Sequence, residues 1–119
     1  SFFYPMGVQI YFEERPWGNF RQFTKNEVST VKILTIRAGE AFSLQTHKNR
    51  EEFWRVLSGS GKVTVGEDIS QAKEGDEFTV PKGSKHQISA DSDMEVLEIS
   101  NGEFDESDIV RFEDKYGRA

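Results

Sequence analysis

The sequence consists largely of short runs rich in β-branched residues, and turn-forming residues such as glycine and proline separate them. These runs cover residues 28–37, 52–57, 62–65, 77–80, 87–89 and 95–100. Turn signals recur every 8–12 residues or so, a spacing typical of an all-β sandwich or barrel. No amphipathic segment reaches the roughly one dozen residues of a crossover helix, which disfavours a parallel α/β fold. We therefore predict a small all-β barrel, with one helical turn around Phe112–Tyr116.

The length of 119 residues fits one domain. Within it we expect an N-terminal arm or strand over residues 1–13, a barrel over 14–112 and a C-terminal tail over 113–119. No stretch approaches the roughly 20 apolar residues of a membrane helix, and the opening residues carry too little positive charge for a signal peptide. We therefore expect no membrane association.

The composition excludes several kinds of site. The chain contains no cysteine, which rules out a disulfide scaffold, a cysteine zinc finger and a thiol nucleophile. The absence of cysteine also suits a cytoplasmic protein. The net charge of −6 argues against a basic surface for nucleic acid.

Polar residues stand at inward-facing positions on two predicted strands. Gln45 and His47 are two residues apart, so their side chains leave the same face of a strand. After a short polar turn, Glu52 shares a face with Trp54 and Val56 and is expected to point inward. An unpaired carboxylate there is costly, and a cation between the two strands would relieve that cost.

The second histidine of the chain begins another inward-facing series. His86 shares a strand face with Ile88 and Ala90, just after the tight turn at Pro81–Gly83. A lone histidine at a strand end is usually structural, but the combined set offers mixed nitrogen and oxygen donors. Such donors suit a divalent first-row ion, so we predict one Zn, Mn, Co, Fe or Ni ion. The predicted ligands are Gln45, His47, Glu52 and His86.

These segments resemble the two motifs of the cupin superfamily, whose fold is a double-stranded β-helix or jelly-roll barrel. The first motif, G-x5-H-x-H-x(3,4)-E-x6-G, is matched by Gly39, Gln45, His47, Glu52 and Gly59. The second, G-x5-P-x-G-x2-H-x3-N, is matched by Gly75, Pro81, Gly83, His86 and Ala90. Gln45 and Ala90 depart from the usual histidine and asparagine.

The wider sequence is similar to the type II phosphomannose isomerase domain. The matching pieces run in order from about residue 14 to 118: Arg15–Gly18, Val31–Lys32, Leu44–His47, Arg50–Trp54, Pro81–His86, Asp108–Arg111 and Glu113–Arg118. After His86 this family usually carries arginine and later asparagine, where this chain has Gln87 and Ala90. Ala38 likewise replaces the proline that usually precedes Gly39.

The resemblance implies a metal-dependent isomerase that interconverts mannose 6-phosphate and fructose 6-phosphate. Guanidinium groups suit a phosphate better than ammonium groups do. The candidates for binding it are Arg50, Arg111, Arg118 and Lys32. The candidate catalytic residues are Arg50, Lys32 and Tyr116, and the candidates for the proton transfer are Lys32, Tyr116 and metal-bound water.

Other readings of the same residues stay open. The domain could be a sugar-binding cupin without turnover, or, with a redox metal, a cupin dioxygenase. Because cupins commonly pair through edge strands, we expect a homodimer. We expect Arg15–Gly18 to be structural, with Trp17 packed against the barrel, and the acidic run Glu103–Asp108 to be a solvated loop that could hold the tail over the barrel mouth.

Overall fold

The computed structural model describes residues 10–113, and the regular structure within this range is entirely β-strand. The strands are β1 Tyr11–Arg15, β2 Gly18–Gln22, β3 Ser29–Ile36, β4 Leu44–Thr46, β5 Arg50–Ser58, β6 Ser60–Val65, β7 Asp68–Lys73, β8 Glu77–Val80, β9 His86–Ala90, β10 Met94–Gly102 and β11 Val110–Glu113. The all-β prediction is confirmed. None of the described residues belongs to a helix with the length and hydropathy needed to cross a membrane.

The strands form two main sheets and one separate hairpin. One sheet has the order β3-β10-β5-β8 and the other has the order β11-β4-β9-β6-β7, and within residues 10–113 β1 pairs only with β2. Every pairing is antiparallel. A single core of buried residues from both main sheets, including Trp54, Val56, Val63, Ile88 and Val96, lies between them. The two sheets are therefore the two walls of one barrel.

The predicted strand faces agree with the burial. In β5, Glu52, Trp54 and Val56 are all buried, and in β9 the buried residues are His86, Ile88 and Ala90. Alternation of this kind places every second side chain on the core side of a sheet. The same geometry that packs the core thus directs one carboxylate and one imidazole into the barrel.

The hairpin β1–β2 corrects the expected role of Trp17. This residue lies in the two-residue turn between the strands and is 70% exposed, so it does not pack against the barrel. The hairpin is held to the barrel through Arg21, which forms two hydrogen bonds of 2.7 and 2.8 Å with Glu77. Glu77 also accepts a hydrogen bond of 2.5 Å from Arg55 in β5.

The predicted helical turn near the end of the chain is wrong for Phe112 and Glu113, the part of it that the structure describes. Phe112 and Glu113 belong to β11, whose residues pair with Leu44–Thr46 of β4. The pairing with β4 supplies backbone hydrogen bonds that local sequence does not reveal, and it overrides the local preference. The rest of that turn lies outside the described residues.

Candidate metal centre

His47, Glu52 and His86 converge at one end of the barrel interior. His47 follows β4, Glu52 lies in β5 and His86 begins β9, and their exposed fractions are only 5%, 2% and 2%. Nε2 of His47 is 3.6 Å from Oε2 of Glu52, and Nε2 of His86 is 3.7 Å from Oε1. One donor atom from each residue lies within 4.8 Å of the other two. The predicted trio is thus brought together.

Backbone carbonyls orient both imidazole rings. Nδ1 of His47 donates to the carbonyl oxygen of Asp108 at 2.7 Å, and Nδ1 of His86 donates to that of Ser84 at 3.0 Å. Because Nδ1 carries the proton, the lone pair of each neutral ring is on Nε2, the atom that faces Glu52. A carbonyl oxygen that accepts from the other ring nitrogen fixes the orientation of a metal-binding histidine in this way.

Burial keeps both rings neutral at neutral pH. It lowers the pKa of His47, and it lowers the pKa of His86 to about 4. The charged form of a buried imidazole loses its hydration, so the neutral form is favoured. Neutral imidazole is the form that binds a metal ion.

Two buried atoms in this cluster that could bind a metal ion have no hydrogen-bond partner among residues 10–113. They are Oε1 of Glu52 and Nε2 of His86. A buried polar atom without a partner costs free energy, and an ion bound between these atoms would satisfy both. Two imidazole nitrogens and a carboxylate oxygen suit divalent first-row ions. His47, Glu52 and His86 could therefore hold a metal ion.

Gln45 lies next to this cluster. It is the Cα partner of His86 across the β4–β9 pairing and lines the same cavity as the three buried residues. Its amide oxygen is a donor of the kind that hard and borderline ions accept. Its role as the fourth ligand stays a prediction.

The cluster opens into a cavity of about 230 Å³. Its lining combines donors, charged residues and apolar walls: Lys32, Leu34, Phe42, Gln45, His47, Arg50, Glu52, His86, Glu98, Phe104, Glu106, Ile109 and Arg111. Three of the four cations that we predicted to bind phosphate are in this lining. The fourth, Arg118, and the predicted proton carrier, Tyr116, lie outside the described residues.

The three cations of the cavity differ in how they are held. Lys32 and Arg50 both stack on the ring of Phe104, with Nζ 4.1 Å and Cζ 4.3 Å from the ring centroid. Arg111 stands opposite Gln45 in the β11–β4 pairing, and its Nε is buried without a hydrogen-bond partner among residues 10–113. Arg111 therefore presents an unsatisfied donor at the cavity.

Sequence reasoning missed Glu98, a second buried carboxyl group in the cavity wall. Glu98 is 7% exposed and accepts a hydrogen bond of 3.2 Å from Nε1 of Trp54. Burial raises its pKa to about 7, and the nearby Glu52 carboxylate adds to the effect. The available signal was the alternation of β10, in which Met94, Val96 and Glu98 share the inward face.

The acidic run near residue 105 does more than face solvent. The Asp108 carboxylate accepts hydrogen bonds of 2.9 Å from the backbone N–H groups of Lys48 and Asn49, which lower its pKa. Phe104, Glu106 and Ile109 line the cavity. Asp108 therefore ties this loop to the turn after His47 and places it over the cavity mouth.

The comparisons with known proteins agree with this architecture. A family model described as "Mannose-6-phosphate isomerase C-terminal" matches residues 8–114. The mannose-1-phosphate guanylyltransferase ManC of Salmonella typhimurium is 34% identical over 107 residues, which are 87% of this chain and 22% of that protein. The chain therefore spans about a fifth of the length of the curated relatives it matches.

Solved structures show the same fold. A cupin protein from Bacteroides fragilis aligns with a TM-score of 0.58 and 29% identity, over 67% of this chain and 74% of that one. A putative sugar phosphate isomerase from Acidithiobacillus ferrooxidans aligns with a TM-score of 0.56 and 27% identity, over 61% of this chain and 49% of that one. From its fold and from the match over residues 8–114, the chain belongs to the mannose-6-phosphate isomerase C-terminal family, whose domains are cupins.

Proposed function

We propose that this domain is a metal-dependent sugar-phosphate isomerase that interconverts mannose 6-phosphate and fructose 6-phosphate. The observation that carries the proposal is the buried trio His47, Glu52 and His86 at the base of a cavity that Lys32, Arg50 and Arg111 also line. Metal donors beside cations suit a substrate with both a polarisable carbonyl and an anionic group. The family match supports a sugar phosphate as that substrate.

His47, Glu52 and His86 would hold the ion, with Gln45 as the fourth donor. A bound divalent ion supplies a Lewis acid that polarises a carbonyl oxygen and stabilises the negative charge that develops on it. The two imidazoles are neutral, so Glu52 contributes the only formal negative charge of the proposed ligand set. The ligand set thus cancels only half of the formal charge of a divalent ion, and the other half acts on the substrate.

Arg111, Arg50 and Lys32 would bind the phosphate. The planar guanidinium group matches a phosphate with two parallel hydrogen bonds, and Arg111 offers a buried Nε without a described partner. Arg118 belongs to the same proposal from the sequence alone. These cations would fix the sugar so that its C1–C2 end lies near the metal donors.

Isomerisation moves a proton between C1 and C2, so a cavity residue must accept and return it. Lys32 lines the cavity, and Tyr116 remains a candidate from the sequence. Glu98 joins this set because its carboxyl group lines the same cavity. Burial raises the pKa of this carboxyl group to about 7 in the metal-free chain, and a carboxyl group whose pKa is raised by burial can accept and return a proton near neutral pH.

A coupled assay tests the proposed reaction. The purified chain is stripped with a chelator, reloaded separately with Zn²⁺, Mn²⁺, Co²⁺, Ni²⁺ or Fe²⁺, and given mannose 6-phosphate, and fructose 6-phosphate is the readout. We expect turnover with at least one ion, none in chelator and none for His86→Ala. Mannose without phosphate is the matched control substrate and should react far more slowly.

Two other outcomes would favour the alternative functions. Binding of mannose 6-phosphate without turnover under any ion would replace the isomerase by a sugar-binding module. Oxygen consumption by the iron-loaded chain with a diketone or thiol substrate would favour a dioxygenase.

We also propose that two chains pair through β3. Among the described residues this strand has a neighbour on one side only, and Val31 and Ile33 on its outer face are 61% and 59% exposed. An antiparallel edge can pair with its own copy about a two-fold axis. Light scattering should give the mass of a dimer for the native chain and of a monomer for Ile33→Lys, and a monomeric native chain would contradict the pairing.

A further inference from the structure

Arg50 occupies the space between the metal donors and the loop that covers the cavity. Its side chain is only 7% exposed, and Nη2 donates to Nε2 of His47 at 3.2 Å. Nε donates to Oε2 of Glu52 at 3.4 Å, and Nη1 donates to the carbonyl oxygen of Asp105 at 3.3 Å. The guanidinium group thus donates to two of the three residues that would bind the ion.

The contact with His47 cannot coexist with metal binding through the same atom. Nδ1–H of His47 donates a hydrogen bond to the backbone carbonyl oxygen of Asp108, so Nε2 holds the only lone pair in the plane of the ring. That lone pair either accepts a hydrogen bond from Arg50 or binds an ion. Charge adds to the conflict, because a guanidinium group and a divalent ion repel each other at such short range.

Release of Arg50 would change what the cavity can bind. Its N–H groups donate to His47, Glu52 and the backbone carbonyl oxygen of Asp105. Once Nη2 and Nε leave His47 and Glu52, they can form the parallel pair of hydrogen bonds that an oxyanion accepts. Phe104, stacked 4.3 Å from Cζ, would keep the group at the cavity mouth.

We propose that Arg50 is an exchangeable internal cation that couples two binding events: a divalent ion displaces it from His47 and Glu52, and the displaced guanidinium group binds the oxyanion of the substrate. This inference rests on the proposed metal centre. Coupling between two sites is reciprocal, so an oxyanion in the cavity should raise the affinity for the ion.

The test measures Zn²⁺ affinity of the chelator-treated chain by competition with a chromogenic chelator. Sulfate serves as the oxyanion probe and is compared with chloride at equal ionic strength. Arg50→Gln should bind Zn²⁺ about tenfold more tightly than the native chain, because a charge-assisted hydrogen bond no longer competes. Sulfate should raise the affinity of the native chain about fivefold and that of Arg50→Gln much less.

Two further variants keep the test informative if Arg50→Gln folds poorly. Phe104→Leu removes the ring on which both Arg50 and Lys32 stack and leaves every proposed metal ligand in place, so its response to sulfate should be weaker than that of the native chain. Arg37→Gln removes an exposed guanidinium group remote from the donors and should match the native chain in both measurements.

A spectroscopic readout monitors the guanidinium group of Arg50 directly. The Nε–H resonance of Arg50, assigned by its loss in Arg50→Gln, should shift when Zn²⁺ is added. Equal or weaker Zn²⁺ binding by Arg50→Gln, an unshifted resonance, or the absence of a sulfate effect in the native chain would overturn the exchange and leave the metal centre intact. A native chain that binds no Zn²⁺ would overturn both.

Discussion

The indole Nε1 of Trp54 donates a hydrogen bond of 3.2 Å to Oε2 of Glu98, and the two residues are Cα partners across β5 and β10. The indole satisfies one oxygen of a carboxyl group that is buried in the cavity wall. A neutral donor offsets the desolvation of a carboxylate less than a cation does. Burial therefore still raises the pKa of Glu98 to about 7.

The raised pKa of Glu98 predicts how its removal alters stability with pH. Between its ordinary pKa of 4.5 and about 7, the folded chain holds a proton that the unfolded chain has lost. The Glu98 contribution to the free energy of unfolding therefore falls as the pH rises through this window. We compare the free energies of unfolding of Glu98→Gln and the native chain in chelator. From pH 5 to pH 8 the value for Glu98→Gln should rise relative to the native value by an amount on the order of 2 kcal/mol. Urea unfolding measures this, and parallel pH profiles would refute it.

The contribution of His86 to the free energy of unfolding should rise, not fall, with increasing pH. Its pKa is about 4 in the folded chain against 6.5 ordinarily, so the unfolded chain binds the extra proton first as the pH falls. The stability that neutral His86 contributes is complete above pH 6.5 and is lost between pH 6.5 and 4. In chelator, the free energy of unfolding of His86→Gln should fall less steeply than that of the native chain as the pH drops from 6.5 to 4 (the acid limb of the pH profile). An acid limb of unchanged steepness would show that this imidazole is not desolvated.

Gly59 and Gly66 form a matched pair for testing the packing around a motif glycine. Both have positive φ, +82° and +62°, so alanine is strained at either position. A Cβ at Gly59 would lie 2.0 Å from the carbonyl oxygen of Asp93, whereas a Cβ at Gly66 meets nothing within 4 Å. Gly66→Ala should cost about 1 kcal/mol and Gly59→Ala more than about 3 kcal/mol. Chemical denaturation of both variants measures the difference, and equal costs would contradict it.

The tether between the hairpin and the barrel depends on Glu77. Hydrogen bonds from Arg21, supported by Arg55, hold the pKa of this carboxyl group below its ordinary value, so the tether is complete above about pH 4.5 and is lost as the pH falls. Glu77→Gln should increase amide exchange in β1 and β2 and lower stability by about 1 kcal/mol. Glu14→Gln, an exposed carboxylate in β1, is the control and should leave exchange unchanged. Equal exchange in both variants would exclude the tether.

The fold and the convergence of His47, Glu52 and His86 could be predicted from the sequence because the signals for both are local. Alternation over a few residues fixes which face of a strand is buried, and it correctly placed Glu52 and His86 inside. Pairing with a distant strand leaves no such local signal, and the local sequence therefore predicts a helical turn at Phe112, where the structure has β11. Trp17 was assigned to the barrel because a tryptophan is usually buried, but its position in a two-residue turn leaves it exposed.

The surroundings of the metal donors could not be read in the same way. Glu98 lies 46 positions after Glu52 in the sequence, and its proximity depends on the β5–β10 register. The contacts of Arg50 with Phe104 and Asp105 depend on a loop that folds back over the cavity. Such contacts arise from tertiary packing, and neither strand periodicity nor turn chemistry specifies them.

Metal binding by the chelator-treated chain is the most direct test of the central claim. Equilibrium dialysis against Zn²⁺, followed by elemental analysis, should find one ion per native chain and per Glu95→Gln, an exposed carboxylate variant on β10. His47→Ala and His86→Ala, shown to be folded by their far-ultraviolet spectra, should each lose that ion. Retention of the full complement of zinc by both folded histidine variants would show that the ion binds elsewhere and would contradict the account.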